Sequence, residues 1–140
     1  MDFTKIEANY NVAVNLQFAT AGNSLTQPVY CPFTPDFLIV RGINYSPGGT
    51  DNTTDVFRIY SDLVDGHVLG SITMSLSTTT TPALFVAPSP QILYFKMNKP
   101  VQSQFQFSVW GNLTTVTLNG HMVIHLEFVK FKAEKPQQIY

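Results

Sequence analysis

Charge is scarce in this 140-residue chain. Asp, Glu, Lys and Arg make up 12% of it, roughly half of the ~25% usual for a soluble globular domain. Eight Lys and Arg stand against nine Asp and Glu, for a formal net charge of −1. Such a balance supplies no basic field for nucleic acid or for an anionic membrane surface, and neither is expected as a partner. Cysteine is nearly absent too. Cys31 stands alone, so no intramolecular disulfide can form, and the residue reads as a small core filler. No apolar run approaches the ~18 residues of a membrane span. Met1 to Tyr10 has neither the basic nor the apolar stretch of a signal peptide, so synthesis in the cytoplasm is expected. The sequons at Asn44, Asn52 and Asn112 are accordingly read as turn asparagines.

Catalytic and ligand-binding patterns are missing as well. There is no G-x-S-x-G elbow, and Pro47-Gly48-Gly49 lacks the Lys and the following helix of a phosphate loop. Asp51, Asp55, Asp62 and Asp65 gather near turns but not at EF-hand spacing, and turn roles account for them. His121, His125 and Glu127 share one strand parity. At ~3.3 Å per residue the two histidines would lie about 13 Å apart, too far to hold one ion together. No catalytic residue, metal or cofactor is expected, and the chain reads as a non-enzyme.

What is present is β-structure. Asn11 to Ala19 places Val12, Val14, Leu16 and Phe18 on one face, and Ser103 to Trp110 sets Phe105, Phe107 and Val109 against Gln104, Gln106 and Ser108. Gln27 to Phe33 holds Pro28 and Pro32, which lack a ladder donor, so this piece belongs at an edge or corner. Gly42 interrupts Phe37 to Tyr45, the mark of a bulge. Asp65-Gly66 between Thr54 to Val64 and His67 to Leu76 predicts a type I′ hairpin turn. Further strands are expected at Gln91 to Asn98, Thr114 to Leu118 and His121 to about Ala133, with a loop at Thr78 to Thr81. The last strand is apolar on both faces near Phe128, Val129 and Phe131, so both faces there must be covered.

About eight strands, with turn signals every 8 to 12 residues or so, predict an all-β fold. The expected architecture is an eight-stranded antiparallel jelly-roll sandwich over residues 1–140, with a short tail from about 134. An immunoglobulin-like sandwich is the alternative, although the Cys…Trp…Cys pattern is absent. Thr, Ser, Asn and Gln fill the polar positions, giving faces that another subunit can desolvate at low cost. Trp110 and Tyr45 sit beside turns where a ring can stack on a sugar. Together with His121, His125 and Tyr140 they are the candidate glycan or interface contacts. A carbohydrate-binding or host-attachment module is thus the alternative function.

Three stretches carry a family resemblance: Phe37-Leu38-Ile39-Val40-Arg41-Gly42, then Tyr60 to Gly70 with its Asp65-Gly66 turn, and Leu118 to Phe131 ending in Leu126-Glu127-Phe128-Val129-Lys130-Phe131. With them the chain resembles, over about residues 28 to 133, the small jelly-roll virion proteins of large double-stranded DNA viruses, virophages and polinton-like elements. The resemblance implies a non-enzymatic structural virion protein: a capsid, penton-like, minor capsid or spike component. Such a protein forms a closed homo-oligomer, a trimer or pentamer, beside other virion proteins. It implies no catalytic residue, since such families have none to carry over.

Overall fold

Alternation of apolar and polar side chains underlies the strands of this fold, broken in the third and last strands by runs of consecutive buried residues. The structure is a computed structural model and describes residues 5–18, 24–46, 54–64, 68–75, 93–97, 99–111 and 120–132. The strands are β1 (Ile6–Gln17), β2 (Ser24–Tyr30), β3 (Phe37–Ser46), β4 (Thr54–Ser61), β5 (Val68–Ser75), β6 (Leu93–Lys96), β7 (Gln102–Gly111) and β8 (His121–Phe131). A short 3-10 helix, Asp62–Val64, follows β4. Two four-stranded antiparallel sheets result, ordered β1-β8-β3-β6 and β2-β7-β4-β5.

The pairings are nested. β1 pairs with β8, β2 with β7, β3 with β6 and β4 with β5, while β3–β8 and β4–β7 ladders join these pairs into sheets. That order is the expected jelly roll, in which a long folded-over ribbon wraps into two layers. The immunoglobulin-like alternative is set aside, because there the first two strands share a sheet. Here β1 and β2 lie in opposite sheets and meet along one flank of the sandwich.

Inward parity sets the core. Leu16, Leu38, Ile43, Phe57, Ile59, Phe107, Ile124 and Phe128 are fully buried between the sheets, joined by Leu63 of the 3-10 helix and by Cys31. Burying each large apolar side chain is worth about 1.5–3 kcal/mol, against about 1 kcal/mol net for an ordinary hydrogen bond, so this layer dominates the stability. Burial also pushes the Cys31 thiol above its usual range, opposed by a hydrogen bond from the Phe33 backbone.

Local devices close the ends. Asp36 links three strands: its N–H donates to the Val129 carbonyl at 2.8 Å, its carboxylate accepts from Phe131 N–H at 2.8 Å, and its carbonyl accepts from Met97 N–H at 2.7 Å. Where β4 ends, the Asp62 carboxylate accepts the Gln106 N–H at 2.9 Å, replacing a ladder partner.

Several expectations are met. β2, with Pro28, is an edge strand, and a bulge falls between Val40 and Gly42, with Arg41 as the extra residue. Others change. β1 begins at Ile6 rather than near Asn11, because its pairing with β8 continues past a bulge at Glu7 to Phe131. The β4–β5 hairpin forms, but the 3-10 helix takes Asp62–Val64, so the connection is longer than a two-residue type I′ turn. Asn44 is a strand residue of β3, not a turn asparagine. Asn52, Asn112, Asp65-Gly66, Thr78 to Thr81, Thr114 to Leu118 and the tail from 134 lie outside the described residues.

Gly120, just before β8, is required by space. An added Cβ would lie 2.7 Å from Tyr45 Oη and would strike the Ser46 carbonyl oxygen. Its N–H donates to Tyr45 Oη at 3.0 Å and its carbonyl accepts from Phe18 N–H at 2.9 Å. Gly42, despite its place at the bulge, has open space around it. Gly120→Ala is therefore expected to cost about 1–3 kcal/mol as an overpacking change, and Gly42→Ala to stay within about 0.5 kcal/mol. Urea unfolding of the two variants beside the parent reads the difference, and equal midpoints for both would refute the steric account.

Candidate functional site

The outer face of the β1-β8-β3-β6 sheet holds the one buried carboxylate among the described residues. Glu127, on the outward parity of β8, is only 7% exposed. A charge so placed must be paired and hydrogen-bonded. Arg41 supplies the charge from β3: its Nε donates to Glu127 Oε1 at 2.9 Å and its Nη2 donates to the same oxygen. Asn9 of β1 donates through Nδ2 to Oε2 at 3.3 Å. Arg41, two residues past the outward-facing Ile39 and at the bulge of β3, keeps that outward parity and so reaches Glu127. Three adjacent strands are thus buckled by one carboxylate. With both oxygens engaged, Glu127 is no free general base, and its role is structural.

Around the buckle the face is apolar. Ile39 and Val129 point outward in their strands yet are fully buried. Phe37 and Phe131 pack edge to face beside them, with ring centroids 5.4 Å apart. The expectation that both faces of β8 are covered near Phe128 and Val129 is met.

The candidate contact residues do not converge. Tyr45 is 2% exposed, with its ring in the core and its hydroxyl on Gly120, so it offers nothing to a ligand. The turn beside it in sequence hid its inward parity in β3. His121 and His125 point outward on the first sheet, where His125 is exposed and its Nε2 lies 3.3 Å from Asn44 Nδ2. Trp110 is 56% exposed on the other sheet, opposite Arg58, with Nε1 donating to Ser108 Oγ at 3.3 Å. Tyr140 lies outside the described residues. No group of three or more His, Cys, Asp or Glu side chains that could hold a metal occurs among the described residues. No helix there is long and apolar enough to cross a membrane.

Two features escaped the sequence reading. The buckle was legible in part, as a lone Glu inside an apolar run, but its partners come from distant strands. The other is a set of exposed tyrosines on edge strands: Tyr10 of β1 at 38%, Tyr30 of β2 at 53% and Tyr94 of β6 at 47%. Tyr10 and Tyr30 meet edge to face across the flank, with centroids 6.4 Å apart. The four edge strands, β1, β2, β5 and β6, carry just two charged side chains between them, Glu7 and Lys96.

No family model matches the chain, and no curated protein matches it. Among solved structures, it is similar to the Drosophila NLP-core, whose structure is described as giving insight into pentamer formation and histone binding. That likeness has a TM-score of 0.42 and 15% identity, over 89% of this chain and 100% of that one. It is also similar to a chain of Bacillus endospore appendages, described as a novel family of disulfide-linked pili, with a TM-score of 0.32 and 11% identity over 87% of each chain. Neither likeness, at these TM-scores, bears on what this chain does.

The buckle generates a stability prediction. Arg41→Met keeps the apolar stem but strands the Glu127 carboxylate, and is expected to cost about 1–3 kcal/mol. In a Glu127→Gln background the same change should cost clearly less, because no charge is left unpaired. A double-mutant cycle by denaturant unfolding measures this, and strict additivity would rule the coupling out.

Proposed function

We propose that this chain is a non-enzymatic structural virion protein, a capsid, penton-like, minor capsid or spike component, that self-assembles into a closed trimer or pentamer and meets other virion proteins. The observation that carries the reading is the bareness of the sheet edges. Soluble sandwiches protect edge strands with Lys, Pro, bulges or short length, because unpaired N–H and C=O groups template association. Pro28 blunts β2 and the Glu7 bulge blunts one end of β1, but from Ala8 to Gln17 β1 has neither charge nor proline. Closed assembly covers such edges without propagating them. The sequence resemblance to jelly-roll virion proteins supplies the setting.

The test is native mass spectrometry and light scattering over a concentration series, with mass spectrometry of purified particles from the source. A single closed trimer or pentamer, and the chain among the particle proteins, is the expected outcome. A strict monomer at high concentration that is absent from particles would overturn the reading.

A second reading, recognition of a neutral glycan, is favoured by Trp110. Its exposed ring stands between Arg58 of β4 and Ser108 of β7, and the residues farther along that face on β2 and β7, Ser24, Thr26, Gln104 and Gln106, carry no charge. Aromatic faces and neutral hydrogen-bonding groups suit sugars. Saturable binding on a glycan array, lost in Trp110→Ala, is the expected signature, and an array with no saturable binder excludes it.

A further inference from the structure

We propose that Asn119-Gly120 is a deamidation site that the fold holds shut through Tyr45. Nowhere else in the chain does Gly follow Asn. Deamidation uses the backbone nitrogen of the following residue as its nucleophile, and a residue without a Cβ obstructs that attack least. Gly120 N gives up its proton to water or hydroxide and attacks the side-chain carbonyl carbon of Asn119. The N–Cγ bond forms, the Cγ–Nδ2 bond breaks, and the nitrogen leaves as ammonia after taking a proton. Water then opens the cyclic imide at either carbonyl, leaving aspartate or isoaspartate at position 119. Asn119 lies outside the described residues, whereas the nucleophile, Gly120, lies within them.

Both backbone groups of Gly120 are engaged. The residue is buried, and its N–H donates to Tyr45 Oη at 3.0 Å. Its carbonyl accepts from Phe18 N–H at 2.9 Å and from Gln17 Nε2 at 3.4 Å. Removing the amide proton would break the bond to Tyr45 and leave an anion in the interior, which burial strongly disfavours. Nor is there room for the nitrogen to swing toward a carbonyl carbon. A Cβ on Gly120 would already lie 2.7 Å from Tyr45 Oη, so the packing allows little shift. Reaction therefore requires the start of β8 to open first.

The product bears on folding. Isoaspartate routes the main chain through the former side chain and adds one carbon between position 119 and Gly120. That addition falls just before β8, where Gly120 must fit against Tyr45 and Ser46. A chain damaged before it folds is thus denied the seating of Gly120, while a folded chain is spared. Asn119 becomes a covalent record of time spent unfolded.

The experiment ages the parent in neutral buffer, folded and in urea, and counts aspartate and isoaspartate at position 119 by peptide mass spectrometry. The folded chain is expected to deamidate at least about tenfold more slowly, the factor that a local opening free energy of about 1.4 kcal/mol confers. Tyr45→Phe keeps the ring and removes the acceptor, and should speed the reaction of the folded chain several-fold. Ile59→Val lowers core stability but leaves the Tyr45 hydroxyl in place, and should stay near the parental rate. Circular dichroism checks that both variants fold. Equal rates for the folded and unfolded parent, or a folded Tyr45→Phe no faster than Ile59→Val, overturn the proposal. If Tyr45→Phe does not fold, amide hydrogen exchange in the parent decides: slow exchange at Gly120 supports the closed site, and exchange at the unfolded rate overturns it.

Discussion

The register of β8 is the constraint on which the rest of the structure depends. This strand lies between β1 and β3 and pairs with both over most of its length. Met122, Ile124, Leu126 and Phe128 enter the core while His121, His125 and Glu127 face out. A slip by one residue would exchange these sets, so hydrophobic burial alone forbids it. A slip by two would preserve the alternation, and burial alone would barely oppose it. What opposes it is polar: Glu127 must reach Arg41 and Asn9, the Phe131 N–H must reach the Asp36 carboxylate, and Gly120 must fit against Tyr45. The core supplies most of the free energy, and a few hydrogen bonds at the ends and outer face select one alignment.

The surfaces divide along the same lines. On the outer face of the β1-β8-β3-β6 sheet, the apolar end around Ile39 and Val129 is buried. Next to β2, the outer face of β7 is neutral and hydrophilic with one exposed indole, and the flanks are nearly bare of charge. A composition with so few ionised side chains costs a sandwich little internally, since its core uses none. Its consequence falls on the edges, where ordinary monomers place Lys and Glu. The proposed closed assembly assigns that omission a purpose.

The fold was largely legible in the sequence because the alternation of two carries most of the information. The Val12 to Phe18 stripe, the Phe105 to Val109 stripe and the Pro28 edge each reported a local preference that the tertiary structure kept. Errors arose where local and distant forces differ. Asp65-Gly66 favours a tight turn, but burial of Leu63 and Val64 and the bond from Gln106 to Asp62 draw the preceding residues into a 3-10 helix. Tyr45 looked like a strand-end ring, yet the partner that buries it, Gly120, lies 75 residues away. For the same reason the Arg41–Glu127–Asn9 buckle could not be assembled from spacing, since its members come from β3, β8 and β1. The candidate contacts were chosen by residue type, and the sheets then placed them on different faces.

The nested pairing described above also sets the order in which the molecule can be made. Only the β4–β5 hairpin joins neighbours in sequence; Asn9 must wait for Glu127, 118 residues later, before its strand gains a partner. Such distant closure makes folding slow, because much chain entropy is spent before contacts repay it. During synthesis, β1 therefore emerges first and is paired last, with its apolar face and both edges open. The strand whose residues 8–17 carry no charge is also the segment left longest without its partner, so the timing of synthesis and the yield of correct folding are linked by the same ten residues or so.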